Sequence, residues 1–465
     1  MFDAKDKSHD LPIAVIGAGT VGLAAAAHLL ARGLRPAIFE KSKQVAANMR
    51  DYGHVRLFSP WRFNIDRAAR ALLEQAHWRA PDLDALPTGG EIFRDYLAPL
   101  AAIPAIAERL RLDSEVTSIS RRGFDKVKSA GRDAAPFVMR LRQGNGEERE
   151  FLARAVIDAS GTWAKPNPLG ANGMPAIGER RFAAKIRYGI PDILGVERTR
   201  YAGKKVLVVG AGHSAANALL DLAELAESSP QTRIAWAIRG DDVAKTFGGG
   251  GDDALAARGA LGDALRVLYE SGALEVRSAF RVHALRANLG GISVVGDDGM
   301  TIDGVDEIAC ATGQRPDLDL TRELRLELDP WLECAKTIGP LIDPNLHSCG
   351  TVRPHGAREL AHPETGFYTV GVKSYGRAPT FLLATGYEQV RSVAAALAGD
   401  MKAASEVHLE LPKTGVCTTQ PRARIEPAPA AACCSPARRK SPGETSRSSP
   451  EHAKPAEAAC CSPPS

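Results

Sequence analysis

The stretch Ile13-Ala14-Val15-Ile16-Gly17-Ala18-Gly19-Thr20-Val21-Gly22 decides the fold. Its first four residues are apolar and mostly β-branched, which reads as a short buried strand. The glycines that follow have the spacing G-x-G-x-x-G. An Ala/Leu-rich helix then runs to about Ala31 and stops at Gly33. Pro36–Glu40 reads as the next strand, ending on an acid. Each part has a physical task. Gly17 permits a tight turn, Gly19 lets a pyrophosphate approach the backbone, and Gly22 lets helix and strand pack closely. The helix start at Thr20 offers free N–H groups and partial positive charge to phosphates. Glu40, placed 23 residues after Gly17, suits the hydroxyls of a ribose.

The pattern recurs. Lys204–Val209 reads as a strand, followed by Gly210-Ala211-Gly212-His213-Ser214-Ala215 and a helix to about Glu227. Ala215, Ala216, Leu219, Leu222, Ala223 and Ala226 give that helix one apolar face. Ile234–Ile238 is the next strand. Where the first site has Glu40, the second has Arg239. A guanidinium suits a ribose 2′-phosphate, which a carboxylate would repel. The first site therefore reads as FAD and the second as NADPH, with Gly210, Gly212, His213, Ser214 and Arg239 at the latter.

Two further strands end in small residues. Val156–Ser160 leads into Gly161-Thr162, and Glu307–Ala311 into Thr312-Gly313. Such segments mark crossings between two dinucleotide domains, so Thr312 and Gly313 count as cofactor contacts. Residues 379–398 read as a helix that Pro379 starts. Its N-terminus, with Thr380, is a candidate donor to an anionic flavin ring. The expected fold is α/β, with two Rossmann-like dinucleotide-binding domains and a disordered tail. Residues 1–160 and 306–405 form a split FAD-binding domain, 161–305 an inserted NADPH-binding domain, and 406–465 the Cys/Pro-rich tail.

Composition supports a folded body with a distinct tail. The chain has 465 residues and a net charge of +4. From Pro412 onward there are eight basic and four acidic residues, so the body is neutral and the excess lies in the tail. A nucleic-acid partner needs a basic stripe on a folded face, which a neutral body does not support. Lys5, Lys7 and the apolar run Leu11–Ala27 resemble a secretory signal. The glycine motif explains that run better, and its glycines suit a membrane span poorly. A cytoplasmic protein with no membrane partner is expected, in which cysteines serve chemistry more often than structural bridges.

The order of these signals resembles the two-dinucleotide-binding flavoproteins, and within them the flavin monooxygenases. Ser59-Pro60-Trp61, Thr88-Gly89-Gly90-Glu91 and Tyr375–Gln389 are similar to a subset associated with bacterial arsenic resistance, including methylarsenite-oxidising monooxygenases. The resemblance covers about residues 10–400 and adds Trp61 to the candidate cofactor contacts. Three departures narrow what it implies. Disulfide-reductase relatives carry a C-x-x-C or C-x4-C pair, whereas Cys310, Cys334 and Cys349 are widely separated. Without a local dithiol, dioxygen is the simplest electron acceptor. Relatives that oxygenate ketones carry a histidine signature before the second glycine loop, and Lys185–Tyr201 contains no histidine. Many relatives also place an Asp after a Gly near the C-terminal flavin contact, but Val372 follows Gly371 here.

The resemblance implies that NADPH reduces FAD and that a flavin hydroperoxide then oxidises a small, soft nucleophile, with trivalent arsenicals first. Little side-chain acid–base work is required, and the sequence singles out no catalytic residue and no metal site. Oxygenation of sulfur or nitrogen in another small molecule is the alternative within enzymes. A non-enzymatic, thiophilic-metal-binding protein is the alternative outside them. The tail bears on this choice. Ala431-Ala432-Cys433-Cys434-Ser435-Pro436 recurs as Ala458-Ala459-Cys460-Cys461-Ser462-Pro463. Adjacent thiolates favour soft ions, and nearby Lys and Arg lower thiol pKa. Cys334 and Cys349 are further candidates for holding an arsenical near the flavin. Phe247 and Gly248–Gly251 read either as a loop that shapes the NADPH site or as a plain connection.

Overall fold

The computed structural model describes residues 10–253, 255–347 and 352–409. A first parallel sheet has five strands in the order Phe367–Thr369, Ala155–Asp158, Ile13–Ile16, Pro36–Phe39 and Leu110–Arg111. Ile13–Ile16 lies at its centre and is buried along its whole length. Side chains alternate across a strand. Ile13 and Val15 therefore join the core beneath the helices, while Ala14 and Ile16 join a core on the opposite face. That second core is closed by an antiparallel sheet of Ser114–Arg121, Phe137–Gln143 and Glu148–Ala153.

The glycine-loop helix is Thr20–Ala31, as its sequence pattern indicates. Ala24, Ala25, Ala26 and Ala27 are all buried. Their small side chains let the helix lie close to the sheet on one side and to the helix Leu383–Leu397 on the other. The apolar run that resembles a secretory signal is thus a core strand and a core helix. No helix among the described residues is long and apolar enough to cross a membrane.

A second parallel sheet has the order Leu274–Arg277, Arg233–Ala237, Lys205–Val209, Glu307–Cys310 and Ile186–Tyr188. It too carries a three-stranded antiparallel sheet, Val282–Asn288, Gly291–Gly296 and Thr301–Val305. Both halves therefore follow one plan, in which the glycine-loop strand is central and its two neighbours are parallel. The helix after the second glycine loop is His213–Ser228, and it buries Ala215, Ala216, Leu219 and Leu222.

Two boundaries differ from the sequence reading. Glu307–Cys310 pairs with Lys205–Val209, so the second sheet extends past residue 306 and the chain returns only at Thr312-Gly313. There the two crossing segments bind one another. Thr162 Oγ1 donates to Gln314 Oε1 at 2.9 Å, and Thr312 Oγ1 donates to the Asn167 carbonyl at 2.9 Å. The last long helix starts at Leu383 rather than at Pro379. Leu382, immediately before it, is extended (φ −121°, ψ 146°), and Phe381 packs edge-on against Tyr375 with ring centroids 5.3 Å apart. Residues 410–465, which contain both Cys-Cys hexapeptides, lie outside the described residues, as does Cys349.

Candidate dinucleotide sites

The two glycine loops sit at the carboxyl ends of their central strands, where open α/β sheets bind ligands. Their glycines divide by cause. Gly17 has φ +96°, and a Cβ there would meet the Ala159 carbonyl oxygen at 2.7 Å. A Cβ on Gly22 would lie 1.9 Å from the Gly17 carbonyl oxygen. Protein packing alone requires both. Around Gly19, by contrast, a Cβ would meet nothing within 4 Å. The second loop repeats this division. Gly210 has φ +140° and faces the Ala311 carbonyl at 2.4 Å, whereas Gly212 faces open space. The middle glycines therefore leave the backbone bare where the protein itself has no use for it. A dinucleotide diphosphate approaching the free N–H groups of the following helix uses that space. The residues fit the two groups.

Other candidate contacts fall around the loops. The buried carboxylate of Glu40 accepts from the Ala18 and Ser42 N–H groups, both at 2.9 Å, which fixes it beside the first loop. Thr20 is buried at the helix start. Thr380 is buried too, and its Oγ1 has no hydrogen-bond partner among the described residues. An orphaned hydroxyl just ahead of a fifteen-residue helix marks a place for a ligand acceptor. Arg239 is exposed just beyond the strand Arg233–Ala237, and its Nη1 reaches the Ala171 carbonyl only at 3.4 Å. His213 and Ser214 open the second helix. Surrounding protein and the Arg258 charge lower the His213 pKa, which favours a neutral imidazole.

Some candidates are placed elsewhere. Trp61 is buried in the first core, and packing there accounts for it without a ligand. Cys334 is also buried in that core. Burial and the Asp329 charge push its thiol up to about 12, so at neutral pH it offers no thiolate to a soft ion. Cys310 is likewise buried and pushed up to about 12, chiefly by burial. Phe247 belongs to the second core, and a Cβ on Gly262 would lie 1.9 Å from its carbonyl oxygen. The glycine-rich loop is therefore clamped onto the helix Ala256–Glu270.

The structure adds residues that local sequence patterns do not reveal. Lys373 Nζ donates to Asp158 Oδ2 at 2.7 Å and to Ser160 Oγ at 3.0 Å. Gln389 accepts from the Gly371 N–H at 2.8 Å and donates to Ser374 Oγ at 2.8 Å. These bonds fix the turn after Phe367–Thr369 beside the first glycine helix, where Gly371 faces Val21 at 3.3 Å. One sequence signal was available: Lys373 is the only charge between Phe367 and Gly376. Val372 and Asn48 flank Gly161, at 3.8 and 3.9 Å from its Cβ position. Two residues on, Trp163 packs on Tyr52 with centroids 5.0 Å apart, and its indole N–H donates to Asp51 at 2.9 Å.

Residues 14–337 match the pyridine nucleotide-disulphide oxidoreductase family, and the chain belongs to it. The two loops of this oxidoreductase-family chain fit FAD and NADPH as cofactors. Among curated proteins, it is 32% identical over 212 residues to indole-3-pyruvate monooxygenase YUCCA1 of Oryza sativa subsp. japonica. That match covers 45% of this chain and 44% of the relative, so the chain spans less than half the length of that protein. Among solved structures, the bacillithiol disulfide reductase Bdr (YpdA) of Bacillus cereus superposes with a TM-score of 0.62 at 16% identity, covering 84% of this chain and 99% of that one. Ornithine hydroxylase (PvdA) of Pseudomonas aeruginosa gives 0.56 at 17% identity, covering 84% and 99%. These likenesses establish the fold.

Proposed function

We propose that the protein is an NADPH-dependent flavin monooxygenase that oxidises a small soft nucleophile, with trivalent methylated arsenicals as the first substrate class. Bound FAD supplies the redox chemistry, taking hydride from NADPH and activating dioxygen. The chain's own residues bind, orient and exclude. Gly19 and the start of Thr20–Ala31 receive one diphosphate, and Gly212 with His213 the other. Tyr52, Trp163 and Val372 give the crossing near Gly161 an apolar and aromatic rim, with the Asn48 amide as a polar neighbour. That surface suits a small uncharged substrate and limits water.

The observation that carries this reading is the state of the thiols. Cys310 and Cys334 are buried, free and pushed up to about 12. Neither supports a dithiol relay from flavin to a disulfide. The Cys433-Cys434 and Cys460-Cys461 pairs belong to the same proposal, as capture sites that hand a soft ion to the enzyme.

The test uses the yellow holoenzyme. NADPH is added without air, air is readmitted, and NADPH loss and product are followed with methylarsenite, arsenite and an organic sulfide. The expected result is bleaching, recovery in air, and one oxidised arsenical per NADPH. Oxidation of the sulfide alone moves the substrate to sulfur. Reduction of a disulfide substrate without oxygen use overturns the monooxygenase reading. Truncation at Leu411 tests the tail, and unchanged arsenical turnover at low substrate removes it from the proposal.

A further inference from the structure

Phe58 is a residue of the first half that touches the second half's glycine loop. Its ring meets His213 edge-on, with centroids 5.1 Å apart and planes at 66°. His213 directly follows Gly212, whose Cβ position faces open space, and it opens the helix His213–Ser228. The contact therefore falls where a dinucleotide diphosphate meets that helix start.

The mount of Phe58 is rigid. Arg56 bridges Thr88, and the Leu57 N–H donates to the Pro87 carbonyl at 2.8 Å. Leu57 packs against the first core, and Trp61 is buried in it. Asn64 Nδ2 donates to the carbonyls of Ser59 and Pro60, at 2.7 and 3.0 Å. Asn64 is itself held by the Tyr387 hydroxyl, which donates to its carbonyl at 2.8 Å. The Phe58 ring, half-buried on this loop, meets His213 of the opposite half. A large aromatic side chain on a fixed loop of one half thus reaches the histidine that opens the glycine-loop helix of the other.

We propose that Phe58 is a positioning residue for NADPH: it holds the His213 ring against the second glycine loop, so that the first half completes the nucleotide site of the second. This rests on the assignment of the second loop to NADPH. An aromatic edge contact is small, so its loss should weaken binding rather than abolish it.

The experiment measures the KM and kcat for NADPH, and the Kd for NADP+, on FAD-loaded holoenzyme. Phe58→Ala should raise KM and Kd about two- to tenfold. FAD content and kcat at saturating NADPH should stay near the wild-type values. Phe58→Tyr, which keeps the ring, should restore affinity. His213→Ala should cost as much as Phe58→Ala, and the double variant no more than His213→Ala alone. A wild-type protein that NADPH never saturates overturns both the loop assignment and this proposal. A saturable wild type with unchanged affinity in Phe58→Ala overturns the proposal alone, as does strict additivity of the two single losses. If Phe58→Ala loses FAD, the Phe58→Tyr rescue of NADP+ affinity decides: no rescue overturns it.

Discussion

Lys373 and Asp158 form an ion pair from which water is excluded, with their side chains 1% and 0% exposed and Nζ 2.7 Å from Oδ2. The pair ties the end of the strand Ala155–Asp158 to the turn that follows its parallel neighbour Phe367–Thr369. A buried charge whose partner is removed is expensive, about 3–5 kcal/mol. Lys373→Met should therefore lower the unfolding free energy by about that amount, measured by denaturant titration of the holoenzyme. Adding Asp158→Asn to the same chain removes the orphaned charge and should recover part of the loss.

The two kinds of glycine separate packing from ligand binding. Gly22→Ala drives a methyl into the Gly17 carbonyl and should give little folded protein. Gly19→Ala meets no protein atom, so the chain should fold with native circular dichroism yet purify with little or no FAD. Gly212→Ala should keep FAD and lose NADPH affinity. Flavin absorbance per chain and an NADP+ titration read out all three.

The proposed placement of Arg239 at a ribose 2′-phosphate makes it the residue that sets coenzyme preference. It is exposed, so replacing it should leave the melting midpoint unchanged. Hydrogen bonds to a charged group contribute about 1.5–3 kcal/mol. Arg239→Ser should therefore cut kcat/KM for NADPH about ten- to hundredfold, with little change for NADH. An equal loss for both coenzymes would place Arg239 away from the 2′-phosphate.

The two buried thiols should be chemically silent. With their pKa pushed up to about 12, roughly one thiol in ten thousand is ionised at pH 8. Native protein treated briefly with iodoacetamide should show no adduct at Cys310 or Cys334 by mass spectrometry, and both should react after denaturation. Cys334→Ser should leave the Michaelis constant for an arsenical unchanged.

Acid stability should depend on Glu364. Burial opposes its ionisation, but the Arg325 N–H and the guanidinium groups of Arg121 and Arg132 outweigh it and hold the carboxyl below its ordinary 4.5. A depressed folded-state value means stability that is present above the unfolded pKa and is lost as pH falls through the folded one. Arg132→Met removes one cation and should move the acid unfolding midpoint to higher pH, followed by tryptophan fluorescence.

Local patterns carried most of the architecture. Ile13–Ile16 and Lys205–Val209 were legible because each is an apolar run stopped by a glycine loop, and the helices behind them because their apolar faces repeat. What escaped depends on distance along the chain. Lys373 meets Asp158 across 215 residues, and Phe58 meets His213 across the two halves, so neither leaves a periodic trace. Leu383–Leu397 starts four residues after Pro379 because Leu382 is still extended, a choice that Pro379 alone does not encode. Cys334 misled for a related reason. A cysteine in a loop-like sequence looks available until tertiary packing covers it.

The shared strand plan of the two halves differs in one respect that matters on the ribosome. The second sheet draws all five strands from Ile186 to Cys310, so it closes as soon as that stretch emerges. The first sheet waits for Phe367–Thr369, and its leading helix waits for Leu383–Leu397. The segment made first is therefore finished last. For most of translation Thr20–Ala31 has its early neighbours, such as Arg67–Gln75, but lacks the cover of Leu383–Leu397, and apolar surface left open in that interval is prone to aggregation.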